Sequence, residues 1–331
     1  MTPSTLTALD LLAAASPAAR IGIGLAAVGR PGYINIGRAS DLPSVRSVAA
    51  MRERAHALLD AAYESGVRYL DVARSYGHAE EFLADWLHRR PNVGDVVVGS
   101  KWGYTYTADW RVVADVHEVK DHRLAMFERQ IAETRAILGN RLDVYQIHSV
   151  TLESTALTDA ALHRRLAALA GSGVTIGLST SGPGQGDAIR AALQVNVDGQ
   201  PLFRSVQATW NLLEPSAAAA LSEARAQGCA VIVKEALANG RLAGRVPDEA
   251  TTVLAAVAEE LGSTCDAVAL AAALHQPWAT IVLSGAATPE QLISNVSAAT
   301  LALTHDHLER LCGLSEPAPQ YWQDRARLAW T

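Results

Sequence analysis

The chain has 331 residues and a formal net charge of −6. That balance argues against a nucleic-acid or anionic-membrane partner, since both demand a basic surface, and leaves a small-molecule ligand open. With 49% hydrophobic and 19% charged residues the composition is that of a globular chain with ample material for a core, and the length is one that α/β barrels fill as a single domain.

Three cysteines, Cys229, Cys265 and Cys312, are too widely spaced for a metal centre. They fit free thiols in a reducing, cytoplasmic compartment, and no metal is expected. The apolar stretch from Ala8 to Ala19 is interrupted by Asp10 and Pro17 and follows no basic segment, so it does not read as a signal peptide. No run is long enough to span a bilayer.

In chain order, eight short apolar runs predict buried strands: Ile21 to Leu25, Arg68 to Val72, Val96 to Lys101, Leu142 to Ile147, Val174 to Leu178, Ser205 to Thr209, Ala230 to Lys234 and Thr280 to Leu283. Helical patterns lie between them. Val45 to Ser65 has apolar residues at three- and four-residue spacing and stops at Ser65-Gly66; similar stops precede Gly173 and Gly228. His122 to Leu138 reads as an amphipathic helix ended by Gly139, Pro215 to Leu221 as a helix start, and Thr288-Pro289 as a capped helix opening.

The alternation predicts a (β/α)₈ TIM barrel. An open doubly wound sheet is the alternative, but no phosphate fingerprint follows the first strand, and the helix–Gly–strand unit recurs to the end. Two irregular stretches, about 29–43 and 104–121, are expected to shape an active site at the carboxyl ends of the strands, and a tail covers about 315–331.

Polar residues end the apolar runs in a telling order. Asp71 closes the second, Tyr76 follows five residues later, Lys101 closes the third and His148 closes the fourth. On a barrel these four converge at the carboxyl face. A free tyrosine, with a pKa of about 10, is a poor acid near neutrality, and a neighbouring ammonium favours its phenolate. A carboxylate at Asp71 would hold that ammonium, and a neutral His148 would orient the oxygen that gains or loses a proton. Singly, each residue also reads as a cap, a surface pair or a satisfied core histidine; together they read as a proton-transfer site.

This order of residues resembles the catalytic tetrad of the aldo-keto reductase superfamily. The resemblance covers nearly the whole chain. It implies a barrel enzyme, an NAD(P)-dependent oxidoreductase acting on CH–OH, that moves hydride between an NADP or NAD cofactor and a carbonyl or alcohol. The substrate would be an aldehyde, ketone or sugar lactol. It also implies Tyr76 as general acid/base, tuned by Lys101 and Asp71, with His148 orienting.

Ile176-Gly177-Leu178-Ser179 is similar to the segment whose serine holds the nicotinamide carboxamide; Thr180 stands where the family usually has Asn. Val206 to Asn211 is similar to the segment that supplies a carboxamide-holding Gln, here Gln207, and a stacking aromatic, here Trp210. Ala236 to Leu242, with Leu237, Asn239 and Arg241, falls where the family wraps the pyrophosphate. Gly285 to Asn295, with Gly285, Thr288, Gln291 and Asn295, falls where it binds the adenosine end. Many members carry a basic residue after the last strand for the 2′-phosphate of NADP. Residues 285–291 contain none, so NAD use is expected unless Arg241 reaches the phosphate.

Tyr33, Trp102, Tyr104, Tyr106 and Trp110 either line a pocket for a ring or sugar or pack the loops. His117, Glu118 and His122 read mainly as a solvated loop. Gly182 to Gly186 has the wrong spacing for a phosphate loop and reads as a turn. His305-Asp306-His307 reads as a helix cap. Two rival functions remain: a cofactor-binding regulatory subunit with little turnover, and a Schiff-base lyase using Lys234 or Lys101.

Overall fold

The computed structural model describes residues 6–245 and 249–331. Eight parallel strands close into a barrel, each hydrogen-bonded to its sequence neighbours, with the first also pairing the last. They are Ile21–Gly24, Tyr69–Asp71, Val97–Trp102, Val144–Val150, Thr175–Thr180, Ser205–Thr209, Ala230–Lys234 and Ile281–Ser284. All eight coincide with the predicted runs, because strands buried on both faces leave an uninterrupted apolar signature.

Helices surround the barrel. The first long one after the opening strand, Val48–Glu64, is capped by Ser47, whose hydroxyl accepts from the Ala50 amide, and turns Met51, Ala55, Leu58, Leu59 and Ala62 inward. That is the three- and four-residue spacing of one helix face. The predicted start at Val45 is three residues early, since Ser47 takes the cap. The helix expected from His122 begins at Leu124. The N-terminal apolar stretch contains a helix, Ala8–Ala15, with a Thr7–Asp10 capping box. Its Leu9 is fully buried against Tyr69, Val144, Ala230, Ile232, Ile281 and Leu283, and so plugs the barrel's amino end. No helix among the described residues is long and apolar enough to cross a membrane.

Inside the barrel, Tyr69 needs space that two neighbouring glycines provide. A Cβ on Gly22 would stand 2.8 Å from its ring, and one on Gly99 would stand 2.2 Å from its hydroxyl. These residues are register partners: Gly22 and Tyr69 on the first two strands, then Asp71 and Gly99 on the second and third.

The two stretches expected to be irregular are more ordered than that. Residues 104–121 contain an antiparallel pair, Tyr104–Tyr106 with Glu118–Lys120. The stretch 29–43 contains a short helix, Arg38–Asp41. Arg38 is fully buried and donates to the carbonyls of Ala27, Arg30, Pro31 and Thr331. It therefore ties the loop after the first strand to the tail of the chain.

Candidate active site

Asp71, Lys101 and His148 are brought to the carboxyl face by their strands, and Tyr76 by the turn that follows the second strand. Asp71 and Lys101 are buried, 2% and 1% exposed, and form an ion pair. The Lys101 ammonium also donates to the Val72 carbonyl at 3.1 Å. On the other carboxylate oxygen, Asp71 accepts from the Tyr69 hydroxyl at 3.2 Å and from Gln207 Nε2 at 2.9 Å. A buried charge pair is tolerable only when its remaining valences are met in this way.

Tyr76 lies over this pair, with the Lys101 nitrogen 5.0 Å from its ring centre. His148 meets it edge to face, ring centres 5.6 Å apart. Just past His148, the fourth strand slips register against the fifth between Ile147 and Val150, and Ser149 takes φ +54°. The Ser149 amide is caught by Ser179 Oγ at 2.8 Å. His148 Nδ1 lies 3.4 Å from Ser75 Oγ, and its carbonyl accepts from His122 Nε2 at 2.8 Å.

Electrostatics depart from the sequence reading at one point. Burial, and then the Asp71 carboxylate, push the Tyr76 phenol well above its usual range; Arg30 opposes them. Lys101, expected to lower the phenol, is not among the leading influences on it. Burial, followed by the charges of Lys101, Lys234 and Arg30, holds His148 well below its ordinary value and therefore neutral.

A cavity of about 470 Å³ opens beside these groups. Asp71, Tyr76 and His148 line it, and so do Gln291 and Asn295. Gln207, Leu237, Asn239, Gly285, Tyr33 and Tyr104 also face it. Asn239 is 6% exposed with φ +54° and donates to the Ile34 carbonyl at 3.0 Å, yet its Oδ1 has no partner. A buried orphan acceptor in a cavity wall suits a ligand donor. At Gly285 a side chain would project into open space.

Other predicted residues are not brought to the cavity. Trp210 is 5% exposed and packs edge-on to Trp278 at 5.8 Å, in the layer between strands and helices. It cannot serve as the stacking aromatic there. Thr180 is buried on that same outer side, and Ser179 is engaged with Ser149. Arg241 is ion-paired with Glu316, and Thr288 caps helix Pro289–Ser297. Trp102 is fully buried against Phe127, and Trp110 packs on His78 and Phe82 while donating to the Arg46 carbonyl.

Charged residues that the sequence reading left out, Arg30, Glu235 and Arg325, or read otherwise, Glu118 and Lys234, form the wall beside Tyr76. Arg30, from the loop after the first strand, sits 5.5 Å from the Tyr76 ring centre and pairs with Glu118 at 2.8 Å. Glu118 is thus a cavity residue rather than part of a solvated loop, and His122 is buried. Lys234 donates to Thr209 Oγ1 at 2.7 Å and pairs with Glu235 at 3.3 Å. Glu235 also takes two bonds from Arg325. Burial opposes its ionisation, but Arg325 and Lys234 outweigh it and hold the carboxyl at about 2. Trp330 closes the mouth, stacked on His117 at 3.9 Å. The adjacent Lys234-Glu235 pair at a strand end was the available signal; for Arg325 and Trp330 there was none. Among the described residues no cluster of His, Cys, Asp and Glu is arranged to hold a metal.

The profile of the Aldo/keto reductase family matches residues 21–316. An aldo-keto reductase, ausK of Aspergillus calidoustus, is 25% identical over 85% of this chain and 76% of its own. The D-threo-aldose 1-dehydrogenase of a Pseudomonas species is 26% identical over 76% of this chain and 84% of its own. Among solved structures, the glycerol dehydrogenase AKR11B4 from Gluconobacter oxydans superposes with a TM-score of 0.69 at 20% identity, covering 89% of this chain and 90% of its own.

Proposed function

The chain belongs to the aldo/keto reductase family, and from that premise we propose that it is a nicotinamide-dependent oxidoreductase that interconverts a small carbonyl and its alcohol at Tyr76. The observation that carries the reading is the buried phenol beside a fixed Lys101–Asp71 pair and a neutral His148, with Asp71, Tyr76 and His148 lining one cavity. A bound nicotinamide dinucleotide supplies or receives the hydride. Gln207, Leu237, Asn239, Gly285, Gln291 and Asn295 face the space it would take and fit it, with the orphan acceptor of Asn239 as a ready contact.

In reduction, Tyr76 gives its proton to the carbonyl oxygen; in oxidation it takes the proton of the alcohol. The raised phenol keeps its proton at neutral pH but is a weaker acid for it, so proton transfer depends on stabilising the phenolate as it forms. His148, unprotonated, offers a neutral ring nitrogen to the same oxygen and orients it without competing as an acid. Asp71 and the Val72 carbonyl hold the Lys101 ammonium in place, 5.0 Å from the Tyr76 ring centre, where a cation favours the negative charge that develops on the phenol.

The substrate we favour is polyhydroxylated, such as a sugar lactol or polyol. The wall beside Tyr76 is built of paired charges, Arg30–Glu118 and Lys234–Glu235–Arg325, which present donors and acceptors to hydroxyl groups. The names of the aldose 1-dehydrogenase and glycerol dehydrogenase relatives point the same way. NAD is the cofactor we favour, because residues 285–291 carry no basic side chain and Arg241 is engaged by Glu316.

Steady-state rates with aldoses, polyols and simple aldehydes, each with NAD(H) and NADP(H), test the reading. Tyr76→Phe is expected to lower kcat at least a thousandfold while nucleotide binding is kept. Turnover retained in that variant would sink the proton-transfer role. Tight nucleotide binding with no turnover on any substrate would instead favour a regulatory subunit.

A further inference from the structure

Asp266 was not singled out in the sequence, yet it lines the same cavity, bonded to Asn295. It stands in the first turn of helix Cys265–Leu274. Both its oxygens are held from the next helix: Asn295 Nδ2 donates to Oδ2 at 2.7 Å, and Ser294 Oγ to Oδ1 at 3.1 Å. Asn295, 2% exposed, is itself oriented by Ser284 Oγ, which donates to its Oδ1 at 2.6 Å. A chain of bonds therefore runs from the end of the eighth strand to Asp266 and commits the Asn295 amide to that carboxylate.

The start of a helix ordinarily attracts an anion. Here that position already carries a fixed carboxylate. The basic residues lining the cavity are paired elsewhere: Arg30 with Glu118, Lys234 and Arg325 with Glu235, and Arg245 with Asp41 at 2.7 and 3.1 Å, the Gly37 carbonyl taking a third bond. Among the described residues, then, no basic side chain lining the cavity is paired with Asp266.

We propose that Asp266 selects the cofactor at its adenosine end, accepting hydrogen bonds from a ribose with free hydroxyls and repelling a 2′-phosphate. The inference rests on the reading of this cavity as a dinucleotide site and adds the residue that discriminates. Carboxylates accept readily from ribose hydroxyls, and a dianionic phosphate beside an unpaired carboxylate meets like-charge repulsion in a partly desolvated site.

The test is direct binding, read by titration calorimetry with NADH, NADPH, 5′-AMP and 2′,5′-ADP, independently of turnover. The wild-type protein is expected to bind NADH at least tenfold more tightly than NADPH, and 5′-AMP more tightly than 2′,5′-ADP. Asp266→Asn narrows both gaps about tenfold, chiefly by tightening the phosphorylated ligands. Asp266→Glu retains the charge and the NADH preference.

A gap unchanged in Asp266→Asn overturns the assignment of Asp266 while leaving the dinucleotide reading in place. A wild-type preference for NADPH that disappears in Arg245→Ala overturns it in favour of Arg245. Failure of the wild-type protein to bind either dinucleotide overturns the underlying reading itself. Should Asp266→Asn fold poorly, the nucleotide pair on the wild-type protein and Asp266→Glu still decide: tighter binding of 2′,5′-ADP than 5′-AMP counts against the proposal.

Discussion

His122 holds the carbonyl of His148 and thereby the approach of the candidate orienting group. A carbonyl can only accept, so Nε2 carries the proton, and Nδ1 accepts from Ser154 Oγ at 2.6 Å. Burial, and then the charge of Lys120, bring its pKa from 6.5 down to about 4. The folded state thus resists a proton that the unfolded chain accepts. The resulting stabilisation is complete above pH 6.5 and is lost as pH falls towards 4, on the order of 3 kcal/mol. Urea unfolding at pH 7 and pH 4.5 should show a smaller acid loss in His122→Gln than in the wild type. Equal losses would remove His122 from the account. The sequence placed His122 at a loop-to-helix boundary, where nothing local signals burial. Its partners, Ser154 and His148, are distant in the chain and come from the end of the neighbouring strand.

At the scale of the strand, the pleat decides which predicted residues reach the site. Neighbours along a strand point to opposite faces. Since Lys101 faces the barrel interior, Trp102 must face the helices, where it meets Phe127. Gln207 faces inward, and so does Thr209, the register partner of Lys234; Trp210 then turns outward to Trp278. Thr180, after Ser179, follows the same rule. These side-chain directions were legible in principle from the strand boundaries and one inward anchor. The same interior geometry predicts a packing conflict. Gly99→Ala places a methyl 2.2 Å from the Tyr69 hydroxyl and should cost about 1–3 kcal/mol in denaturant unfolding. Tyr69→Phe removes that oxygen but leaves a ring carbon at 2.9 Å, so the double variant should recover only part of the loss. A Gly99→Ala protein as stable as the wild type would contradict this packing.

Across the whole molecule, the cavity is bounded by segments from opposite ends of the chain. The loop after the first strand is bonded to the loop after the seventh, through Ile36 to Asn239 and Asn239 to Ile34, and Tyr33 exchanges backbone bonds with Thr331. A ligand filling the cavity meets Tyr33, Ile34, Ile36 and Asn239 and should stabilise the fold as a unit. At a free concentration of one hundred times Kd, a dinucleotide contributes about 2.7 kcal/mol. For a chain of this length, that should raise Tm by about 4 °C in a thermal shift experiment with NADH. No shift with NADH or NADPH would count against the dinucleotide site.

The strand pattern, the barrel and the four residues Asp71, Tyr76, Lys101 and His148 were determined by the sequence itself. Strand burial is written in consecutive residues, and strand ends on a closed parallel barrel must meet at one face. The charged wall beside Tyr76, the outward turn of Trp210 and the setting of Asp266 were decided only in three dimensions. They depend on the facing direction of single side chains and on pairings such as Arg325 with Glu235 and Asn295 with Asp266, which lie 90 and 29 residues apart. No local rule of composition or period carries information over such separations; closure of the barrel supplies it.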